Sequence, residues 1–302
     1  MTLHDEVVAA VNRLSNAGRW GADDELGTLN HITPAARVAA ANSVTSGRVV
    51  SCARPLPDPT TVFAEQRLLR HVLRSGTEAA PQGYSFAEEW IGLHIHGYDV
   101  THLDALSHVF WNQRMYNDRP AAEVSALSGA ASLGVAAAAR ETVGRGVLLD
   151  LADPDALGPG AEITMADLEA CEAREHVTVG RGDIVFVRTG RDSREQAAGR
   201  IDPASQGAPG FAIECADWFA EREIAVLGTD VAGEARAAGQ VRFPAWHVVT
   251  IVAMGLWLID NLALGELHDV CREEDRWHFL LVFPVLPLRA ATGSPMNPLA
   301  VF

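Results

Sequence analysis

Three short apolar runs most constrain the fold: "GRGVLLDL", "GDIVFVRTG" and "EIAVLGTD". Each is bounded by turn or polar residues and has the length of a buried strand rather than of a helix. Helical segments lie between and around them. "TMADLEACEARE" reads as a helix capped by Thr164, and residues 4–16 as an amphipathic helix with Val7, Val8, Val11 and Leu14 at helical spacing. Thr33 and Pro34 start "AARVAAANSVTSG", a helix that Gly47 ends. "RVVSCARPL" and "WIGLHIHG" read as strands, "PAWHVVTIVAMGLWLIDN" as one long apolar helix, and "WHFLLVFPVLPL" as the final strand. Pro57 to Tyr84 reads as a long loop or flap. Strands and helices intermix along the whole length without a repeat or a clean linker, which predicts one α/β domain over residues 1–302.

Composition narrows the function classes. A net charge of -15 argues against nucleic acid or an anionic membrane as partner. The chain has no lysine, which removes Schiff-base chemistry and the P-loop's phosphate-binding cation. Four scattered cysteines, Cys52, Cys171, Cys215 and Cys271, form no CxxC pair, so a thiolate zinc site is not indicated and a reducing cytoplasm is expected. The N-terminal residues lack a signal-peptide pattern, and the longest apolar stretch is too short to span a membrane.

Chemistry concentrates in "HIHGYDVTHLDALSHVFW", where four of the chain's eleven histidines and two aspartates fall within residues 94–111. Its core, "THLDALSH", reduces to HxDxxxH at His102, Asp104 and His108. On a strand end, His102 and Asp104 share a face at i,i+2. If a helix begins there, Asp104 and His108 become i,i+4 neighbours. A strand-to-helix junction would converge all three. Imidazole and carboxylate without thiolate suit zinc or manganese in an open catalytic site. Against this stands the plain alternative of a satisfied core histidine. Trp90, Phe110, Trp111 and Trp246 flank the histidines and could wall a substrate pocket or belong to the core. "DDE" at Asp23–Glu25 reads as a loop turn, and no GxSxG elbow supports a serine triad.

"THLDALSH" resembles the metal-binding motif HxGTHxDxPxH of the cyclase family of metal-dependent hydrolases, which includes bacterial kynurenine formamidase and isatin hydrolase. The likeness extends through "GRWGADDELGTLN", "GRGVLLDL", "ITMADLEA", "GRGDIVFVRTG", "IAVLGTD", "HVVTIVAMGLWLIDNL" and "GSPMNPLAVF", and is nearest to the longer bacterial branch. It implies an α/β domain with a mixed, barrel-like sheet surrounded by helices, of the swivelling β/β/α type, with an N-terminal helical extension over about residues 1–45. It also implies a homo-oligomer, dimer or tetramer, acting on a small molecule with a divalent ion, zinc or manganese.

Position by position, His102 and Asp104 match metal ligands and His108 the general acid/base. The family's first ligand histidine falls on Tyr98 and its motif glycine on Val100. His96 is the preferred replacement, ahead of Asp99 and His94, leaving Tyr98 with Trp90 and Trp111 as substrate-contact candidates. A second ligand pair maps onto His247 and Asp260, with Asp in place of Glu and an interval one residue longer, which favours one tightly bound metal over two. Asp230 would orient a ligand or cap a turn. The expected reaction is hydrolysis of an amide, lactam or ester by metal-activated water, with His108 moving the proton. A metal-dependent cyclase or lyase, or a non-catalytic binding protein, are the rival readings.

Overall fold

The computed structural model describes residues 2–56, 68–77, 82–153, 155–240 and 243–302. Its strands are β1 (Val49–Ser51), β2 (Leu68–Arg74), β3 (Glu88–Leu93), β4 (His102–Asp104), β5 (Val143–Asp150), β6 (Ile184–Arg188), β7 (Val226–Thr229), β8 (Trp257–Asp260), β9 (His278–Val282), β10 (Gly293–Pro295) and β11 (Leu299–Val301). Pairs of two-residue strands complete the set. The principal helices are α1 (Leu3–Leu14), α2 (Pro34–Ala41), α3 (Met165–Arg174), α4 (Arg191–Ala198), α5 (Cys215–Glu221), α6 (Ala245–His247, continued by a π-helical Val248–Ala253) and α7 (Gly265–Glu274).

Nine strands form one mixed sheet in the order β1-β11-β9-β5-β6-β7-β8-β4-β10. The sheet curls into a half-barrel flanked by helices. Its centre, β5 to β8, is parallel, and all other neighbours pair antiparallel. Parallel strands are covered on both faces, which explains their unbroken apolar runs. Val147, Leu148, Leu149 and Ile184 to Val187 are all fully buried. Each such side chain contributes roughly 1.5–3 kcal/mol of transfer free energy. Thr164 and Asp167 form the capping box that starts α3, and Thr33 caps α2 with Pro34 behind it. On α1 the buried residues are Val7 and Ala10, while Val8 faces out.

Four expectations need correction. The helix that starts at Pro34 ends at Ala41, well before Gly47. "PAWHVVTIVAMGLWLIDN" is not one helix: α6 ends at Ala253, Gly255 turns the chain at φ +65°, and Trp257 to Asp260 form β8. Gly255 is required there, because a Cβ would lie 2.4 Å from the Tyr116 ring. The Pro57–Tyr84 segment is not all loop, since β2 pairs antiparallel with β3 as a separate hairpin; residues 57–67 and 78–81 of that segment lie outside the described residues. "WHFLLVFPVLPL" is not the last strand, because β10 and β11 follow and add themselves to opposite parts of the sheet. Among the described residues no helix is long and apolar enough to cross a membrane.

Candidate metal centre

β4 is three residues long and sits between β8 and β10. Alternation puts His102 and Asp104 on one face and the fully buried Leu103 on the other. Asp260 pairs with His102 in the register of β8, so cross-strand geometry brings its carboxylate to that same face. His247 arrives from α6. Its Nε2 lies 3.4 Å from Asp104 Oδ2 and 3.6 Å from Asp260 Oδ2. On the other side of Asp104, Oδ1 is 2.8 Å from His96 Nδ1 and 3.4 Å from His102 Nε2. Asp104 therefore belongs to two triads, His96–His102–Asp104 and Asp104–His247–Asp260, each with its donor atoms within 4.8 Å of one another.

No helix starts after β4. Residues 105–108 form a turn closed by the His108 N–H on the Ala105 carbonyl, 2.9 Å. The turn still brings His108 Nε2 to 3.9 Å from Asp104 Oδ2 and stacks its ring on His96, centroids 3.7 Å apart and 10° from parallel.

Outer hydrogen bonds orient the imidazoles. His102 Nδ1 meets the Val100 carbonyl at 2.8 Å, and His247 Nδ1 meets Glu234 Oε1 at 2.5 Å. Both bonds leave the Nε2 atoms aimed at the carboxylates. Burial would push Asp104 up, but the charge of His108 and the close imidazoles of His102, His247 and His96 hold it well below the usual carboxylate range. Burial likewise opposes charge on His102 and His247, yet the adjacent carboxylates outweigh it and both end raised, His247 strongly. The carboxylates of Asp104, Asp260 and Glu234 thus favour positive charge at this point. Asp104 Oδ2 and His247 Nε2 are buried and make no hydrogen bond. Partnerless donor atoms of imidazole and carboxylate, turned towards one another, suit a divalent ion. His108 differs: burial dominates and lowers it to about 4.

These groups face a cavity of about 390 Å³ whose wall includes His94, Tyr98, Ala204, Ala232 and Arg236. Tyr98 stands on that wall, with its carbonyl accepting from Arg191 Nη2 at 2.8 Å. Asp99 is turned away into an ion pair with Arg200. Trp90 and Trp111 are elsewhere. Trp90 is 47% exposed on the β2–β3 hairpin against His71, and Trp111 packs beside His4 and Phe243. Trp246 belongs to the core, stacked on Phe211. Asp230 accepts from the N–H groups of Thr189, Gly190 and Arg191 and from the Thr189 hydroxyl, fixing the start of α4. Within "DDE", Asp24 ties its own loop and accepts from the Tyr116 hydroxyl at 3.0 Å.

Sequence reasoning missed several supports. Asn261 Nδ2 donates to the carbonyls of Gly97 and Val100, and Arg191 holds Asn261 Oδ1, so a buried clamp fixes the loop between His96 and His102. Glu234 orients His247 from 13 residues away. Thr292 Oγ1 reaches His96 Nε2 at 3.1 Å. Gly293, opposite Asp104 on β10, leaves room for His96, since a Cβ there would meet His96 Cε1 at 2.7 Å and the Leu103 carbonyl at 2.9 Å. Only the quoted ending "GSPMNPLAVF" pointed at this corner. Gly293→Ala should displace His96 and weaken metal affinity by about 10–100-fold, as loss of an orienting contact does, with competitive zinc titration as the measurement. Unchanged affinity would show that His96 is not held by this gap.

Residues 30–234 match the Cyclase family, described as "Putative cyclase", and the chain belongs to that family. A crystal structure described as a novel cyclase superposes with a TM-score of 0.85 at 29% identity, covering 96% of this chain and 100% of that one. Isatin hydrolase A from Labrenzia aggregata, bound to benzyl benzoate, shares the fold at TM-score 0.60 and 21% identity, over 84% of this chain and 93% of its own. So does a predicted metal-dependent hydrolase from Bacillus stearothermophilus, at 0.51 and 17%, over 84% and 97%. Among curated proteins none matches.

Proposed function

We propose that the protein is a metal-dependent hydrolase that cleaves an amide, lactam or ester bond of a small molecule. The observation that carries this reading is the buried pair Asp104 Oδ2 and His247 Nε2, partnerless at 3.4 Å within a ring of imidazoles and carboxylates. His102, Asp104 and His96 would hold the ion, with His247 and Asp260 completing a second triad around Asp104. Zinc or manganese bound there would acidify water and polarise a carbonyl.

The chain's own residues supply the rest. His108, lowered to about 4, is uncharged at neutral pH, so its ring has a lone pair to take a proton from water. Having taken it, the imidazolium is stabilised by Asp104 and can return the proton to the departing nitrogen or oxygen. Tyr98 and the clamped loop behind it give the substrate a fixed wall, which keeps the reacting carbonyl oriented. Metal removal tests the reading: dialysis against a chelator should abolish turnover, and zinc or manganese should restore it, with the product heavier than the substrate by one water. Activity that survives chelation would overturn it; a product isomeric with the substrate would point instead to cyclisation.

The β2–β3 hairpin leaves Leu69, Val72, Leu73, Trp90 and Ile91 about half exposed. Among the described residues this hairpin pairs with no further strand, and its exposed apolar surface favours a cover, which supports a homo-oligomer, dimer or tetramer. Light scattering on the purified protein should give a mass above that of one chain, and a monomer would refute it. Four free, buried cysteines support a cytoplasmic setting.

A further inference from the structure

We propose that Arg236 selects substrates that carry a carboxylate apart from the scissile bond. The inference rests on the hydrolytic reading of the cavity and adds the chemical class of what enters it.

The local fold makes Arg236 a fixed feature of the wall. Its N–H and carbonyl pair with Ala208 at 2.8 and 2.9 Å, an isolated antiparallel bridge that pins the backbone. Glu234, two residues earlier, is also a bridge residue, so the two side chains leave an extended segment on one side. Glu234 turns to His247, and Arg236 lines the cavity that His247 faces. Nη2 donates to the Ala204 carbonyl at 2.5 Å, which orients the guanidinium, while Nε is buried without an acceptor.

Charge is the discriminating observation. Arg54, Arg188, Arg191 and Arg200 each pair with a carboxylate. Among the described residues Arg236, which lines the cavity, pairs with none, and the same holds for the half-buried Arg194, which does not line it. Burying part of a guanidinium is costly unless an anion answers it. Its fork of donors matches a carboxylate in a way that a single ammonium does not. The cavity is therefore polar in two senses. Asp104 and Asp260 form an acidic floor that attracts a cation, whereas Arg236 offers a substrate anion a seat on the wall. A small acid would place its carboxylate on Arg236 and its reacting carbonyl over the floor, so that one ion pair also sets orientation. Ala204 and Ala232 also line the cavity, with side chains too small to fill it.

Calorimetric titration with phenylacetate and its neutral amide, phenylacetamide, tests this. Wild type, Arg236→Gln and Arg236→Lys are each compared zinc-loaded and chelator-stripped. Wild type should bind phenylacetate about tenfold or more tightly than the amide, the size of one charge-assisted hydrogen bond. Arg236→Gln should lose that preference, and Arg236→Lys should keep part of it, which separates lost charge from lost folding. Equal binding of the two probes by wild type, or a preference undiminished in Arg236→Gln, would overturn the proposal. A preference that follows the zinc and survives Arg236→Gln would also overturn it by assigning the carboxylate to the metal nest. Elemental analysis of the same samples keeps the two readings apart. A chain that binds no metal would defeat the hydrolase reading, while the stripped samples would still report on Arg236.

Discussion

Asp104→Asn should leave a folded protein that no longer retains zinc or manganese. Asp104 is 1% exposed and is shared by both triads, with Oδ1 facing His96 and His102 and Oδ2 facing His247. Asparagine keeps the shape and loses the charge. The loss of an outer orienting group costs about 10–100-fold in metal affinity, so loss of the shared carboxylate should cost more than about 100-fold. Competitive titration against a chromogenic chelator reads this directly. Wild-type affinity in the variant would mean that the ion is held elsewhere.

His108→Ala should separate binding from chemistry. His108 lies 3.9 Å from Asp104 Oδ2, farther than the other three histidines lie from that carboxylate, and its lowered pKa leaves it uncharged at neutral pH. Metal content should stay at the wild-type level, while turnover of an amide, lactam or ester accepted by the wild type should fall by about 10²–10⁴-fold, the usual contribution of a positioned acid or base. Steady-state kinetics with elemental analysis of the same preparation decides it. Undiminished turnover would remove His108 from the proton path, and loss of metal together with activity would make it a ligand instead.

The α/β class and the buried central strands were legible because short apolar runs bounded by Gly, Asp and Arg leave little choice of element. The pairing of His102 with Asp104 was equally legible, since it depends only on the two-residue alternation of one strand. Asp260 was misplaced on a helix. An 18-residue apolar run such as "PAWHVVTIVAMGLWLIDN" has no periodicity that separates a buried helix from a buried strand, and the break rests on Gly255, whose positive φ is a tertiary requirement. β2 was hidden because "LLRHVLR" lies on a hairpin exposed on both sides and never acquires an inside-outside alternation.

Which residue stands in for the ligand histidine that Tyr98 replaces is a question that local spacing only narrows. In the structure His96 lies against Asp104, and Asp99 is spent on Arg200. That arrangement depends on Thr292 and Gly293, nearly two hundred residues away, which no local pattern connects to the motif. Glu234 and Arg236 are in the same position, because their roles come from the bridge pairings of an irregular segment.

The central claim is that the histidine–aspartate nest holds a catalytic divalent ion. Anomalous diffraction from crystals of the zinc-loaded protein tests it most directly. An anomalous peak is expected within coordination distance of Asp104, with residues of one or both triads as ligands. A fully zinc-loaded crystal with no peak at Asp104, or with its zinc on other side chains, would contradict it.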